Sequence, residues 1–126
     1  MTETSKLSRR AVWDQGELTA IRYLEEKGYT IIETNYQIRW GEIDIIASEG
    51  NITVFIEVRY RHDESHGHPL DTFTYPKRRA MKRTILYYLM KHRIPEESIR
   101  VDFIGLMPKK DGTIGHRLWH VKWVEV

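Results

Sequence analysis

Cysteine is absent from the 126 residues. That excludes a disulfide framework and a cysteine-based zinc centre. It also fits a reducing cytoplasm, the location expected for this chain. No apolar run approaches the roughly 18 residues needed to span a membrane. The opening stretch MTETSKLSRR lacks the apolar centre of a signal peptide, so no membrane association is expected. There is no internal repeat and no low-complexity linker. Charge of one sign is not in excess either. Twenty basic residues face 18 acidic ones for a net charge of +2, too little by itself to name a partner. The rest of the composition, 40% apolar and 30% charged, is that of one globular domain over residues 1–126 with a core of its own.

Periodicity gives the order of elements. Ser8 can cap a helix that runs to about Lys27 and stops at Gly28. Residues 29–39 and 41–47 are expected as strands. Glu49-Gly50-Asn51 forms a tight turn into a third strand over residues 52–61. A polar loop over residues 62–69 precedes a second helix, which begins near Asp71 or Tyr75 and ends at Arg93. Strands over residues 99–107 and 117–124 complete the chain. This order predicts an α/β fold with a central mixed five-stranded sheet flanked by helices.

Several residues break the pattern that folding alone would set. In the third strand Val54, Ile56, Val58 and Tyr60 alternate with Phe55, Glu57, Arg59 and Arg61. One face is then core, and the other carries an acid and two arginines. Asp44 lies between Ile43 and Ile45, and a register centred on the turn sets it opposite Glu57. Carboxylates that close repel unless a cation or proton lies between them. On the first helix Trp13, Ala20 and Leu24 form an apolar stripe with Glu17 inside it. A carboxylate in such a stripe needs a partner. If Glu17, Asp44 and Glu57 converge, an oxygen-only set of this kind suits magnesium or manganese better than zinc. On the second helix Lys77, Arg78 and Arg79 crowd the N-terminus, where the helix dipole disfavours cations and favours a phosphate. Lys77 also continues the stripe Met81, Ile85 and Tyr88, so it can point over the sheet. Together Arg61, Lys77, Arg78 and Arg79 make a candidate nucleic-acid surface.

Each feature has a structural alternative. Asp44 and Glu57 can pair with Arg39, Arg59 or Arg61, Glu17 can sit at the margin of its stripe, and the Lys77–Arg79 run can be a solvated face. His62, His66 and His68 share one loop and are expected to be solvated rather than metal ligands. Trp119, Val121 and Trp123 alternate along the last strand and are expected in the core rather than as a base-stacking platform. Asp102 is expected to pair with Arg100 or a neighbouring strand. For a homodimer, Tyr87, Tyr88, Trp119 and Trp123 are the places to look for an interface.

Taken together, GELTAIRYLEEKGY, TNY, GEIDIIA, VFIEVRYR, the Gly67-x-Pro69 loop, Lys77 with its helix, and RVDFI resemble the YraN-like bacterial proteins. The resemblance covers roughly residues 15–104. That family is assigned to the restriction-endonuclease-like superfamily and is similar to archaeal Holliday-junction resolvases. The resemblance implies a divalent-metal-dependent endonuclease acting on DNA, branched DNA included. Asp44 and Glu57 match the two metal-holding acids of the signature, and Glu17 matches its helix glutamate. The signature's lysine is Arg59 here, since the motif reads Glu-Val-Arg. An arginine does not lose its proton in a protein, so Arg59 can grip a phosphate but not act as a base. Lys77 is the candidate for the missing amine, and a non-catalytic nucleic-acid-binding module is the alternative.

Overall fold

The structure is a computed structural model that describes residues 15–63, 65 and 67–126. The predicted cap at Ser8, the stripe residue Trp13 and the loop residue His66 lie outside the described residues. The expected order of elements is present: α1 (Gln15–Glu26), β1 (Thr30–Ile38), β2 (Gly41–Glu49), β3 (Ile52–Tyr60), α2 (Tyr75–His92), β4 (Ile99–Pro108) and β5 (His116–Val121). A single 3-10 turn, Pro69–Thr72, leads into α2. Strand β5 ends three residues early, because Trp123 takes a left-handed backbone (φ 61°) that no strand can continue.

The five strands lie in chain order, β1-β2-β3-β4-β5. All neighbours are antiparallel except β3 and β4, which are parallel and joined through α2. The result is the expected mixed α/β sheet. The burial differs from the one-sided core read from β3. Val54, Phe55 and Ile56 are all fully buried, because a helix covers each face. On one face Phe55, Ile46 and Phe103 pack with Met81, Ile85 and Tyr88 of α2. On the other, Val54, Ile56 and Ile104 pack with Ala20 and Leu24 of α1. A crossover helix returning to a parallel strand must lie over the sheet, which puts a helix on the face that carries Glu57.

The pairings also show where the sheet opens. β2 pairs with β1 down to Ile38↔Gly41, but its pairing with β3 stops at Ile45↔Ile56. β3 continues with β4 as far as Tyr60↔Leu106. Beyond Ile45 and Ile56 the sheet therefore forks, with the β1–β2 ribbon on one prong and the β3–β4 pair on the other. A kink accompanies the fork. Asn35 lies between the pairs Thr34↔Ile45 and Tyr36↔Ile43 and has φ 52°. Ile43 and Ile45 would share a face in a regular strand, yet Ile43 joins the α2-side core and Ile45 the α1-side core.

Gly41, at the tip of the first prong, lets α2 approach this region. A Cβ there would lie 2.1 Å from Thr84 Oγ1 and 3.4 Å from the Ala80 carbonyl oxygen. A side chain there would have to displace the buried Thr84 hydroxyl, which bonds to the Ala80 carbonyl oxygen.

Candidate active site

Asp44 and Glu57 are the first residues past the last shared pair, one on each prong. Extending the register Ile45↔Ile56 by one step sets them opposite each other, as the sequence predicted. Where the ladder stops, a side chain takes over, and the Val58 amide donates to Asp44 Oδ2 at 2.8 Å. The carboxyl groups of Glu57 and Asp44 share a hydrogen bond. Arg59 Nη2 lies 2.6 Å from Glu57 Oε2. An open cavity of about 160 Å³ is lined here by Glu42, Asp44, Glu57 and Arg59 from the strands, and by Lys77, Ala80 and Met81 from α2.

The electrostatics of this pair are unusual. Glu57 is only 7% exposed. Burial, then the negative charge of Asp44, push its carboxyl up to about 8, and the positive charge of Arg59 only partly offsets them. Glu42 adds further negative charge. A proton is therefore shared at neutral pH where two carboxylates would otherwise repel. Beside it, Arg59 Nε is buried without a hydrogen-bond partner. A buried orphan donor is costly in a native structure and calls for an explanation.

The other predicted site residues fall in different places. Lys77 lines the cavity at the exposed N-terminal end of the buried stripe Met81, Ile85 and Tyr88. Glu17 is not among the lining residues. It sits on α1, on the opposite side of the sheet, and its Oε1 accepts from Asn35 Nδ2 at 2.6 Å. The helical stripe placed it inward, but the two helices cover different faces, so Glu17 meets Asn35, the residue opposite Asp44, and does not line the cavity. Arg78 turns away from the cavity. Its Nε donates to the Phe73 carbonyl oxygen at 2.8 Å and its Nη1 to that of Glu125 at 3.2 Å, so it ties the chain's last residues to the helix. Arg79 is exposed, with its guanidinium 5.8 Å from the centre of the Tyr75 ring. Arg61 follows β3 and donates its amide to Leu106 O. Among the loop histidines, His68 Nδ1 accepts from the Leu70 amide and the His62 ring meets Tyr60 edge-on. Among the described residues there is no group of three or more His, Cys, Asp or Glu that could hold a metal ion.

Two contributors escaped the sequence reading. Glu42 had a signal, since Glu42-x-Asp44 repeats an acid at strand spacing. Asn35 had a weaker one, a poor strand former inside a strand.

On the α1 side lies a second buried carboxylate. Asp102 is fully buried and accepts from Arg100 through both oxygens, at 2.8 and 2.9 Å. Its Oδ2 is 2.7 Å from His120 Nε2, and His120 Nδ1 is 3.0 Å from the Tyr23 hydroxyl. Arg100 also donates to Tyr29 Oη and Glu49 Oε1. Burial alone would raise the Asp102 carboxyl, but the bonds from His120 and Arg100 outweigh it and hold the group below its ordinary value. The expected pairing with Arg100 is present, and His120 adds to it.

The model of the uncharacterised protein family UPF0102 matches residues 16–106. The chain belongs to the UPF0102 family. A UPF0102 protein of Carboxydothermus hydrogenoformans is 44% identical over 103 residues, covering 82% of this chain and 87% of the relative. One from Coxiella burnetii is 45% identical over 91 residues, covering 71% and 76%. One from Leifsonia xyli is 40% identical over 107 residues, covering 85% and 86%. The UPF0102 match spans Glu17, Asn35, Asp44, Glu57, Arg59, Lys77 and Asp102. It ends before the β4–β5 connection and before His120. No helix among the described residues is long and apolar enough to cross a membrane.

Proposed function

We propose that this UPF0102 protein is a divalent-metal-dependent endonuclease of the restriction-endonuclease-like kind that hydrolyses DNA phosphodiester bonds. One observation carries the reading: two acids meet at the fork of the sheet, in an open cavity, with burial and mutual repulsion driving a shared proton onto Glu57. A site arranged at such electrostatic cost is a functional candidate.

The donor set fits magnesium or manganese. Magnesium keeps several waters and is commonly held by one or two carboxylates together with substrate phosphate oxygens. Asp44 and Glu57 are those carboxylates, and a dication between them would relieve the repulsion that now holds the proton. When bound, the metal supplies Lewis-acid polarisation of the phosphate and a more acidic attacking water.

The chain's own residues do the rest. The Val58 amide fixes one Asp44 oxygen, and Asp44 lines the cavity. Glu57 would hold the metal as a carboxylate, with its proton passing to solvent. Arg59, whose side chain is partly exposed beside Glu57, would donate to a phosphate oxygen and stabilise charge that develops there. Lys77 adds a cation from the helix wall of the cavity. Glu17 acts at one remove: it fixes Asn35 and thereby the kink that holds Asp44 at the fork.

The test is cleavage of labelled linear, single-stranded and four-way-junction DNA with magnesium or manganese, for the native chain and Asp44→Asn. Metal-dependent cleavage that disappears in the variant is expected. The second reading, a non-catalytic nucleic-acid-binding module, is favoured by Arg59 in the lysine position and by its bond to Glu57. Salt-sensitive DNA binding without cleavage would select that reading and retire the nuclease.

A further inference from the structure

At the forked end of the sheet two hairpin tips, β1–β2 and β4–β5, each present an exposed apolar side chain and basic residues. Between β1 and β2 the tip is Arg39-Trp40. Trp40 is 53% exposed and held along one edge by a T-shaped contact with Tyr87. Between β4 and β5 the tip carries Lys109, Lys110 and Ile114. Ile114 is 97% exposed, the most exposed of the large apolar side chains described.

This second tip has a built shape. The Asp111 carboxylate accepts from both the amide and the hydroxyl of Thr113, and the Gly112 amide donates to Lys109 O. The Lys109 side chain crosses Gly115 so closely that a Cβ there would lie 3.0 Å from Lys109 Cε. Gly115 also has φ 116°, which no L side chain takes without strain. The turn thus holds Ile114 out into solvent, next to the glycine that the Lys109 side chain crosses.

Topology puts both tips at the same end of the sheet as Asp44 and Glu57. β2 runs three residues from its start at Gly41 to Asp44, and β3 and β4 run in parallel past Glu57 to Tyr60 and Pro108. Scattered exposed apolar residues need no explanation. Two of them, one on each side of an acidic cleft and each beside cations, make a pattern. Cations take the phosphates of a nucleic acid, and an apolar side chain presented among them is the form of a wedge between base steps. An apolar protein partner would leave Arg39, Lys109 and Lys110 without a complement.

We propose that Trp40 and Ile114 are wedges that enter base steps of the nucleic acid held at the Asp44–Glu57 cleft, with Arg39, Lys109 and Lys110 gripping the flanking phosphates. This rests on the nucleic-acid reading of that cleft. The β4–β5 tip lies outside the UPF0102 match, whereas Trp40 lies within it.

The experiment uses a linear duplex with 2-aminopurine at several positions, whose fluorescence rises when bases unstack. Affinity is read by anisotropy across a salt series. The native chain is expected to bind and to raise the fluorescence. The double variant Trp40→Ala with Ile114→Ala should lose that rise and bind about tenfold more weakly, with its salt dependence intact. The double variant Lys109→Ala with Lys110→Ala should lower the slope of log affinity against log salt by about 2. All four side chains are exposed, so the thermal melts should match the native one. A fluorescence rise that survives the loss of both apolar side chains would overturn the wedges and leave nucleic-acid binding standing. No DNA binding by the native chain would remove both readings. Native self-association that Trp40→Ala with Ile114→Ala abolishes, with DNA binding unchanged, would assign the tips to a protein contact instead.

Discussion

Two acids sit on central strands of the same sheet, each between apolar neighbours, and they have met opposite fates. Asp102, on the α1 side, receives bonds from Arg100 and His120 and is held below its ordinary value. Glu57, on the α2 side, has a second carboxyl group as its neighbour and is pushed up to about 8. Burial raises both groups. What separates them is how many donors the surrounding strands supply. Each acid has an arginine two residues away on its own strand, but Asp102 has His120 as well. At the fork Glu57 meets the Asp44 carboxyl group as well as Arg59. The Asp102 cluster is held by charged donors and supports the fold, while the Asp44–Glu57 pair keeps a raised carboxyl in an open cavity, where we propose that a ligand binds.

The comparison can be broken most sharply at its Asp102 end. Asp102→Ala would leave the Arg100 guanidinium buried without its main partner. Such a loss costs about 3–5 kcal/mol, and urea denaturation should show it. A cost under about 1 kcal/mol would mean that Arg100 re-pairs with Glu49 and that the network is not a structural centre.

At the Glu57 end the sign should reverse. Glu57→Gln reproduces the protonated form and can still donate to Asp44 and accept from Arg59. We expect a gain on the order of 1–3 kcal/mol at neutral pH together with loss of any metal-dependent cleavage. Destabilisation by this variant would mean that the Arg59 ion pair, not the repulsion, dominates at the fork.

The pH dependence follows from the same shift. The folded value of Glu57 is raised above its ordinary 4.5. Its favourable contribution is therefore complete below about 4.5 and is lost as pH rises through about 8. Native stability should climb as pH falls across that window, and Glu57→Gln should flatten the climb. Asp102 has the opposite sign. Its contribution is present above the ordinary carboxylate value and fades only as pH falls below it, so the two acids separate in one pH series of melting curves.

The smallest expected effect tests one donor. Tyr29→Phe removes the oxygen that accepts from Arg100 Nη2 at 2.6 Å. A loss of about 1–2 kcal/mol is expected in denaturant, and none would show that solvent replaces the hydroxyl.

Much of this protein was written in local pattern. The order of strands and helices follows from periodicity and turn residues, because side-chain alternation and helical spacing are properties of the chain itself. The opposition of Asp44 and Glu57 was also legible, since a tight turn at Gly50 fixes the register of the two strands it joins. Lys77 at the end of the Met81–Tyr88 stripe was readable for the same reason. What the sequence could not supply were relations between elements distant along the chain. Glu17 lay in an apolar stripe, but which face of the sheet that stripe would cover depended on where α1 packed. The wide burial of β3 followed from helices on both faces, not from the alternation within the strand. Arg78 looked like one of three equivalent cations until the returning C-terminal residues gave it carbonyl partners. The fork itself arises where the pairing of β2 with β3 stops while each continues with its outer neighbour. That choice is made by three strands at once, so only the tertiary structure decided it.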